Sequence, residues 1–578
     1  MGESTAYVFS ATTIYIGYQL RLLITMIGII SKMGQPSNKA SNVSRSTYPP
    51  QERSAGREFG HTKNFIMALM LLLAGTVVYG DGPYGDVAFR RMGTHNGNLI
   101  ATIFFNQGDI SGWHGWGYPP PRIEWPKGSG HEYGDENSLL VIAEVVNESG
   151  ETIHILSESS LDWDATDTNP ILGGQMGWEP LPGFFNPAQG SPAMSDLLES
   201  WPSQWPDRIN QDDPGWPGSW NGYFGRDVFQ ADQESYYVMD DNYNVEFDYF
   251  PDNTDPDRHG LGLQVSVRGL QWSDPLAQDC IFWLYDITNV STTTYDKIVF
   301  GEVFDARVGG TGEENDDLAE FISYGNMDIT YSWDSDNLGS GGWSPVGYIG
   351  FAFLESPGID QDGIDNDDDG LIDESRDNDA GIWLDAFPYG IDDVDNFKLF
   401  YKREPVPHWS GDEDGDWIGF GDLNGNGEWE PSFEVLNDDL GMDGIGPNHP
   451  KYPGWDTGEG DGIPTQGEPN FGKTDVDESD QIGLTGMESH VENSVVFAND
   501  ELMWTLLQPN RWVLPDPGLL TNYEFFYSSG FFLLEPGKTE RFSLALLLGE
   551  DEDDILRNKK TVQNIYDANY RFKSPPLK

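Results

Sequence analysis

Between Asp360 and Glu374 the chain reads DQDGIDNDDDGLIDE, and this stretch limits what the rest can become. Carboxylates two residues apart project to the same side of an extended chain, where they repel one another unless water or a counter-charge separates them. The surroundings supply little relief, since residues 351–480 hold 35 Asp/Glu against 6 Lys/Arg. Over the whole 578 residues the formal net charge is −64, with 32 basic and 96 acidic side chains. Affinity for a phosphate backbone comes from basic side chains displacing counterions, so this balance excludes nucleic acid as a partner.

A hard cation with six to eight oxygen ligands relieves such crowding, and the spacing suits one. Numbered from Asp365, the first loop offers Asp365, Asp367 and Asp369 at positions 1, 3 and 5. Gly370 permits the turn at position 6, Leu371 offers its carbonyl at 7, and Asp373 stands at 9. Asp360 and Asp362 extend the donor set upstream. A second copy places Asp422, Asn424 and Asn426 at positions 1, 3 and 5, Gly427 at 6 and Glu430 at 9. The expected ion is Ca²⁺ rather than Mg²⁺, which keeps several of its waters. Both loops depart from the EF-hand at position 12, where Arg376 and Phe433 replace Glu; Glu374 or Asp377, and Glu434 one place late, are the substitutes at hand. With these residues the loops resemble thrombospondin type 3 and dockerin-like calcium loops, which implies an extracellular setting and calcium but no specific partner. Asp412, Asp414 and Asp416, and the stretch 475–480, are weaker calcium candidates, for which a solvated acidic surface is the simpler reading.

The charge changes abruptly near residue 80. Residues 1–80 carry 7 Lys/Arg and 3 Asp/Glu, whereas 81–578 carry 25 and 93. Lys63, the apolar run 65–78 and the small residues around Gly75, Thr76 and Gly80 have the three parts of a secretory signal. Residues 1–60, with an apolar stretch 7–30 broken by Arg21, read as an upstream extension. After Val78 no run approaches the roughly 18 apolar residues a membrane span requires, so the mature part is expected outside the cytoplasm without a span.

Period-two alternation predicts strands. Leu261, Leu263, Val265 and Val267 share one face, as do Phe542, Leu544, Leu546 and Leu548. Further strands are expected at 99–105, 139–146, 152–156, 297–304, 348–354, 397–401 and 524–527. The run 281–287 is apolar on both faces, as a central strand should be. One helix follows the acidic turn 550–554, with Ile555, Val562, Ile565, Tyr566 and Tyr570 in a stripe, and stops near Phe572. The fold class is therefore mainly β: a β-sandwich with long loops, an inserted acidic calcium-loop region and one C-terminal helix. The expected divisions are 1–80 extension and signal, 81–355 sandwich, 356–485 insertion, 486–573 closing strands and helix, and 574–578 the start of a linker. The motifs Phe525 to Gly530, Leu534 to Lys538 and Gly549 to Asp551 also make the C-terminal part similar to uncharacterised exported bacterial proteins in which such a β-region precedes fibronectin-III-like modules. No activity comes with that resemblance.

Enzymatic signals are weak. Residues 467–474 match the P-loop spacing, but Asp475, Asp477, Glu478 and Asp480 would repel phosphate, and neither a strand before nor a helix after is expected. The nine histidines show no zinc spacing, no nucleophile elbow occurs, and Cys280 falls in a strand. Two aromatic groups, Trp113, Trp116 and Trp125 with Tyr118 and Tyr133, and Trp201, Trp205, Trp216 and Trp220, would suit stacking on sugars, with an acid pair drawn from Glu124, Glu132, Asp162 or Asp164. The expectation is an exported, calcium-stabilised structural or adhesive β-protein at the cell surface, with a glycan or protein partner. A carbohydrate-binding module, with glycoside hydrolysis as its catalytic extension, and a self-assembling extracellular filament subunit are the alternatives.

Overall fold

A computed structural model describes residues 84–112, 117–159, 176–450, 452–492 and 494–571, all within the compact unit Asp81–Lys578. The expected signal and extension, the linker start, Trp113, Trp116, Asp162 and Asp164 lie outside the described residues.

Two nine-stranded sheets form a sandwich. The first runs Met92–His95, Thr102–Phe105, Asp109–Ser111, Gly134–Val146, Tyr295–Ala306, Tyr523–Leu534, Gly486–Val491 and Arg511–Val513, with Thr152–Glu158 also paired to Gly134–Val146. The second runs Asp317–Ile322, Ile329–Asp334, Tyr348–Glu355, Thr539–Gly549, Cys280–Asn289, Leu263–Gln271, Gln233–Asp240 and Glu179–Pro180, with Ala193–Met194 also paired to Gln233–Asp240. Apart from the parallel pair Gly486–Val491 and Arg511–Val513, these strands pair antiparallel.

Alternation decides which face each residue serves. Leu139, Val141, Phe300 and Phe525 of the first sheet share one core with Val265, Val267, Leu544 and Leu546 of the second. Phe300 stacks on Phe542 across the gap with ring centroids 4.2 Å apart. Cys280–Asn289 is central, as its two apolar faces predict: Ile281, Trp283 and Tyr285 enter the inter-sheet core, while Phe282 and Leu284 face the opposite side. Cys280 is buried there, and burial raises its thiol pKa far above the usual value.

Two of the three described helices cover the outer faces. Counting in chain order, α1 is Val394–Phe400, α2 is Asp500–Leu506 and α3 is Glu552–Asp567. In α2, Met503, Trp504 and Leu506 cover Leu140, Ile142 and Val303. In α3, Ile555, Val562, Ile565 and Tyr566 cover Phe282, Ala545 and Leu547. Asp551 caps α3 by accepting from the Asp554 backbone N–H. The helix ends at Asp567 rather than near Phe572, because Asn569 and Tyr570 adopt left-handed backbone at φ 47° and 55°.

The expected strand at 397–401 is instead part of α1 and its end. Asp393 accepts from the Asp395 and Asn396 N–H groups, which starts a helical turn. Phe397 and Tyr401 then fall four residues apart on one face and join Leu371, Ile391 and Val394.

Residues 356–485 leave the second sheet after Tyr348–Glu355 and return in the first at Gly486–Val491. Between them, the described regular elements are α1, the two-residue pair Trp383–Leu384 and His408–Trp409, and the turn Gly472–Thr474. Arg376 anchors this excursion: its guanidinium donates to the Glu355 carboxylate at 3.0 Å, the Val476 carbonyl at 2.8 Å and the Tyr566 hydroxyl at 3.4 Å.

Candidate metal centre

What the excursion buries is unusual for a protein interior. Its described residues include seven buried Leu, Ile or Phe side chains, namely Leu371, Ile391, Phe397, Leu436, Phe471, Ile482 and Leu484. They include eleven buried Asp or Glu side chains, and no buried Lys or Arg.

Some of the buried acids are met by backbone amides. Asp439 accepts from the N–H groups of Gly460 and Gly462, and Glu468 from those of Gly441 and Thr465 and from the Trp417 indole. Others are not. Both carboxylate oxygens of Glu374, which is only 2% exposed, have no hydrogen-bond donor.

Glu374 sits against the first predicted loop. One carboxylate oxygen each of Asp365, Asp367 and Asp369 lies within 4.8 Å of the others. The loop is shaped by its own amides: Asp365 accepts from the N–H groups of Asp369 and Gly370, both at 3.0 Å, and Asp369 accepts from Leu371 at 2.8 Å. Burial, then the neighbouring Asp369 charge, pushes the Glu374 carboxyl up to about 10. Burial, then Asp369 and Glu374, also raises Asp367 well above the usual carboxylate range, and Asp369 is pushed up to about 6 mainly by burial. Tyr401 donates its hydroxyl to Asp369. Of the substitutes for position 12, Glu374 is therefore at the loop, whereas Asp377 is exposed and pairs with Lys473 at 3.1 Å.

Asp362 and Asp373 form a second group with Asp480, a residue that the loop's own spacing does not point to. Asp480 is fully buried and accepts from the Asn366 N–H at 2.6 Å and the Asp373 N–H at 3.1 Å. Asp360 remains exposed and joins neither group.

The second loop repeats the first in its hydrogen bonds. Asp422 accepts from the N–H groups of Asn426 at 3.2 Å and Gly427 at 2.8 Å, and Asn426 accepts from Glu428 at 2.8 Å. These amides, Gly427 foremost, hold the Asp422 carboxyl below its ordinary range. Glu430 receives the side-chain amides of Asn424 at 2.6 Å and Asn426 at 3.1 Å on an exposed loop, whereas the Asp422 carboxylate is taken up by backbone amides. Glu434 folds back beneath it, accepting from the Leu423 N–H at 2.9 Å.

The rival sites lack a comparable focus. Gly472–Thr474 is a single short turn with no strand leading into it, which removes the P-loop reading. Trp205 and Trp220 are fully buried and pin their loop to the sheet beside Tyr236 and Val238. Trp125 and Tyr133 are also buried. Glu124 accepts from the Gly128 and Gly130 amides, and Glu132 pairs with Arg122 at 3.2 Å. No protein-family model matches the chain, and no curated protein matches it.

Proposed function

We propose that this chain is an exported, calcium-stabilised β-protein with a structural or adhesive role at the cell surface or in an extracellular assembly. The observation that carries the reading is Glu374: a buried carboxylate without a donor, set against three converging aspartates. An ion there would be held by Asp365, Asp367, Asp369 and Glu374, and one in the second loop by Asp422, Asn424, Asn426 and Glu430 once the amides turn their oxygens inward. The ions act as staples in a chain whose single cysteine leaves no internal disulfide. Ligand linkage gives the scale, about 2.7 kcal/mol for one site at a hundredfold excess over Kd. Extracellular modules typically bind calcium at 10⁻⁴–10⁻³ M, which suits a surface location.

A protein or glycan partner accompanies this role. For a sugar, exposed tryptophan faces among the described residues are those of Trp383 and Trp455, 51% and 59% exposed, whereas Trp205 and Trp220 are buried.

The test compares calcium with chelator. Chelation is expected to lower the melting temperature and to open residues 360–434 to limited proteolysis. Identical melting curves and cleavage patterns in the two conditions would defeat the proposal.

A further inference from the structure

We propose that loop 412–416 and segment 475–478 together form another site for a hard divalent cation, built from the side chains of Asp412, Asp414, Asp416, Asp475 and Glu478. It shares no donor with the two loops above and goes beyond them, because its donors come from stretches that the sequence spacing does not connect. One oxygen each of Asp412, Asp414 and Glu478 lies within 4.8 Å of the others, and the same holds for Asp414, Asp416 and Asp475. Asp414 belongs to both triads, and the proposed ion would lie where they meet.

Two buried side chains point to a ligand independently of this clustering. Asp475 is 6% exposed and Glu478 1% exposed, yet one carboxylate oxygen of each has no hydrogen-bond donor. Their other oxygens are held, Asp475 by the Asp477 N–H at 3.0 Å and Glu478 by the Asp414 N–H at 3.3 Å. The carboxylates are thereby fixed in orientation with one oxygen each left over. A buried acceptor left unpaired costs free energy that a coordinated cation recovers.

Local positive charge does not suffice. Arg403 donates to Asp414 at 2.8 Å. That guanidinium faces a crowd of acids, since Asp412, Asp414, Asp475 and Glu478 are all buried beside one another. Five carboxylates favour Ca²⁺, which takes six to eight oxygen ligands, over Mg²⁺, which keeps several of its waters.

The site gives segment 475–480 a single mechanical purpose. Asp475 and Glu478 close on loop 412–416, and Asp480 closes on Asp362 and Asp373 of the first loop. The chain returning to the sandwich thus holds both acidic loops.

The test is crystallography of the chain grown in calcium and soaked with a terbium salt, read by anomalous scattering. A peak within about 2.6 Å of oxygens from Asp414, Asp475 and Glu478 is expected. Peaks at the first loop with none here overturn this inference alone, and no peak at any acidic group overturns it together with the calcium reading. In calcium titration calorimetry, the double variant Asp475→Asn with Glu478→Gln is expected to bind one ion fewer per chain, and Asp365→Asn to lose a different one. An unchanged stoichiometry in a folded double variant overturns the proposal, and if that variant does not fold the anomalous peaks decide.

Discussion

Gly370 and Gly427 hold the same position in two loops of matching hydrogen-bond pattern, yet alanine would meet different surroundings at each. Both have left-handed backbone, at φ 97° and 74°. A methyl group on Gly427 enters open space, so only the conformational cost remains, about 1 kcal/mol. On Gly370 it would lie 2.3 Å from the Asp393 carbonyl oxygen and 2.6 Å from the Phe397 nitrogen, both backbone atoms. Gly370→Ala is therefore expected to cost on the order of 3 kcal/mol or more in chemical denaturation, several times the loss from Gly427→Ala. Equal losses would show that α1 does not rest on the loop. A second residue-scale prediction concerns Glu302, buried in the sandwich, where burial pushes the carboxyl from 4.5 up to about 7. The folded chain then binds the extra proton between those values, so stability from this group is present below about 4.5 and lost as the pH rises to 7. Glu302→Gln keeps an acceptor for Asn137 and removes the titration. Denaturation at a series of pH values should find the variant gaining on the parent across this window, by up to about 3 kcal/mol. A constant difference between the two would refute it.

At the scale of elements, α3 separates capping from packing. Asp551→Ala removes one hydrogen bond at an exposed helix start and is expected to cost about 1 kcal/mol. Ile555→Ala leaves a void beneath a fully buried side chain and is expected to cost about 2–4 kcal/mol. Denaturation midpoints at constant slope check both. The same contrast explains what the sequence disclosed. Strands such as Leu263–Gln271 and Thr539–Gly549 alternate over many residues, so their buried faces were legible from period alone. The apolar run 397–401 was too short to distinguish strand from helix, and the decisive feature was the Asp393 side chain turning back onto the following amides. The hydrogen-bonded turns of the two acidic loops follow from local spacing, because Asp365 and Asp422 each accept from amides four and five residues on. Asp480 at the first loop, and the meeting of Asp414 with Glu478 across 64 positions, depend on tertiary packing that no local spacing encodes.

For the whole molecule, charge is the variable that ties stability to solution conditions. Residues 81–578 carry 93 acidic and 25 basic side chains, so self-repulsion opposes the compact state wherever no cation answers it. Sodium chloride should raise the melting temperature of the chelated protein, since the screening length falls from about 30 Å at 0.01 M to about 8 Å at 0.15 M. With saturating calcium the same salt series should have a smaller effect. A salt response of equal size in both conditions would mean that calcium and the acidic groups are unrelated. The excursion also joins the sandwich in a particular way. Tyr348–Glu355 and Gly486–Val491, the strands on either side of it, each have hydrogen-bonded neighbours on both flanks and belong to different sheets. A tug on the acidic lobe is thus divided between two ladders at interior rungs, with no free border from which either of these two strands could be unzipped.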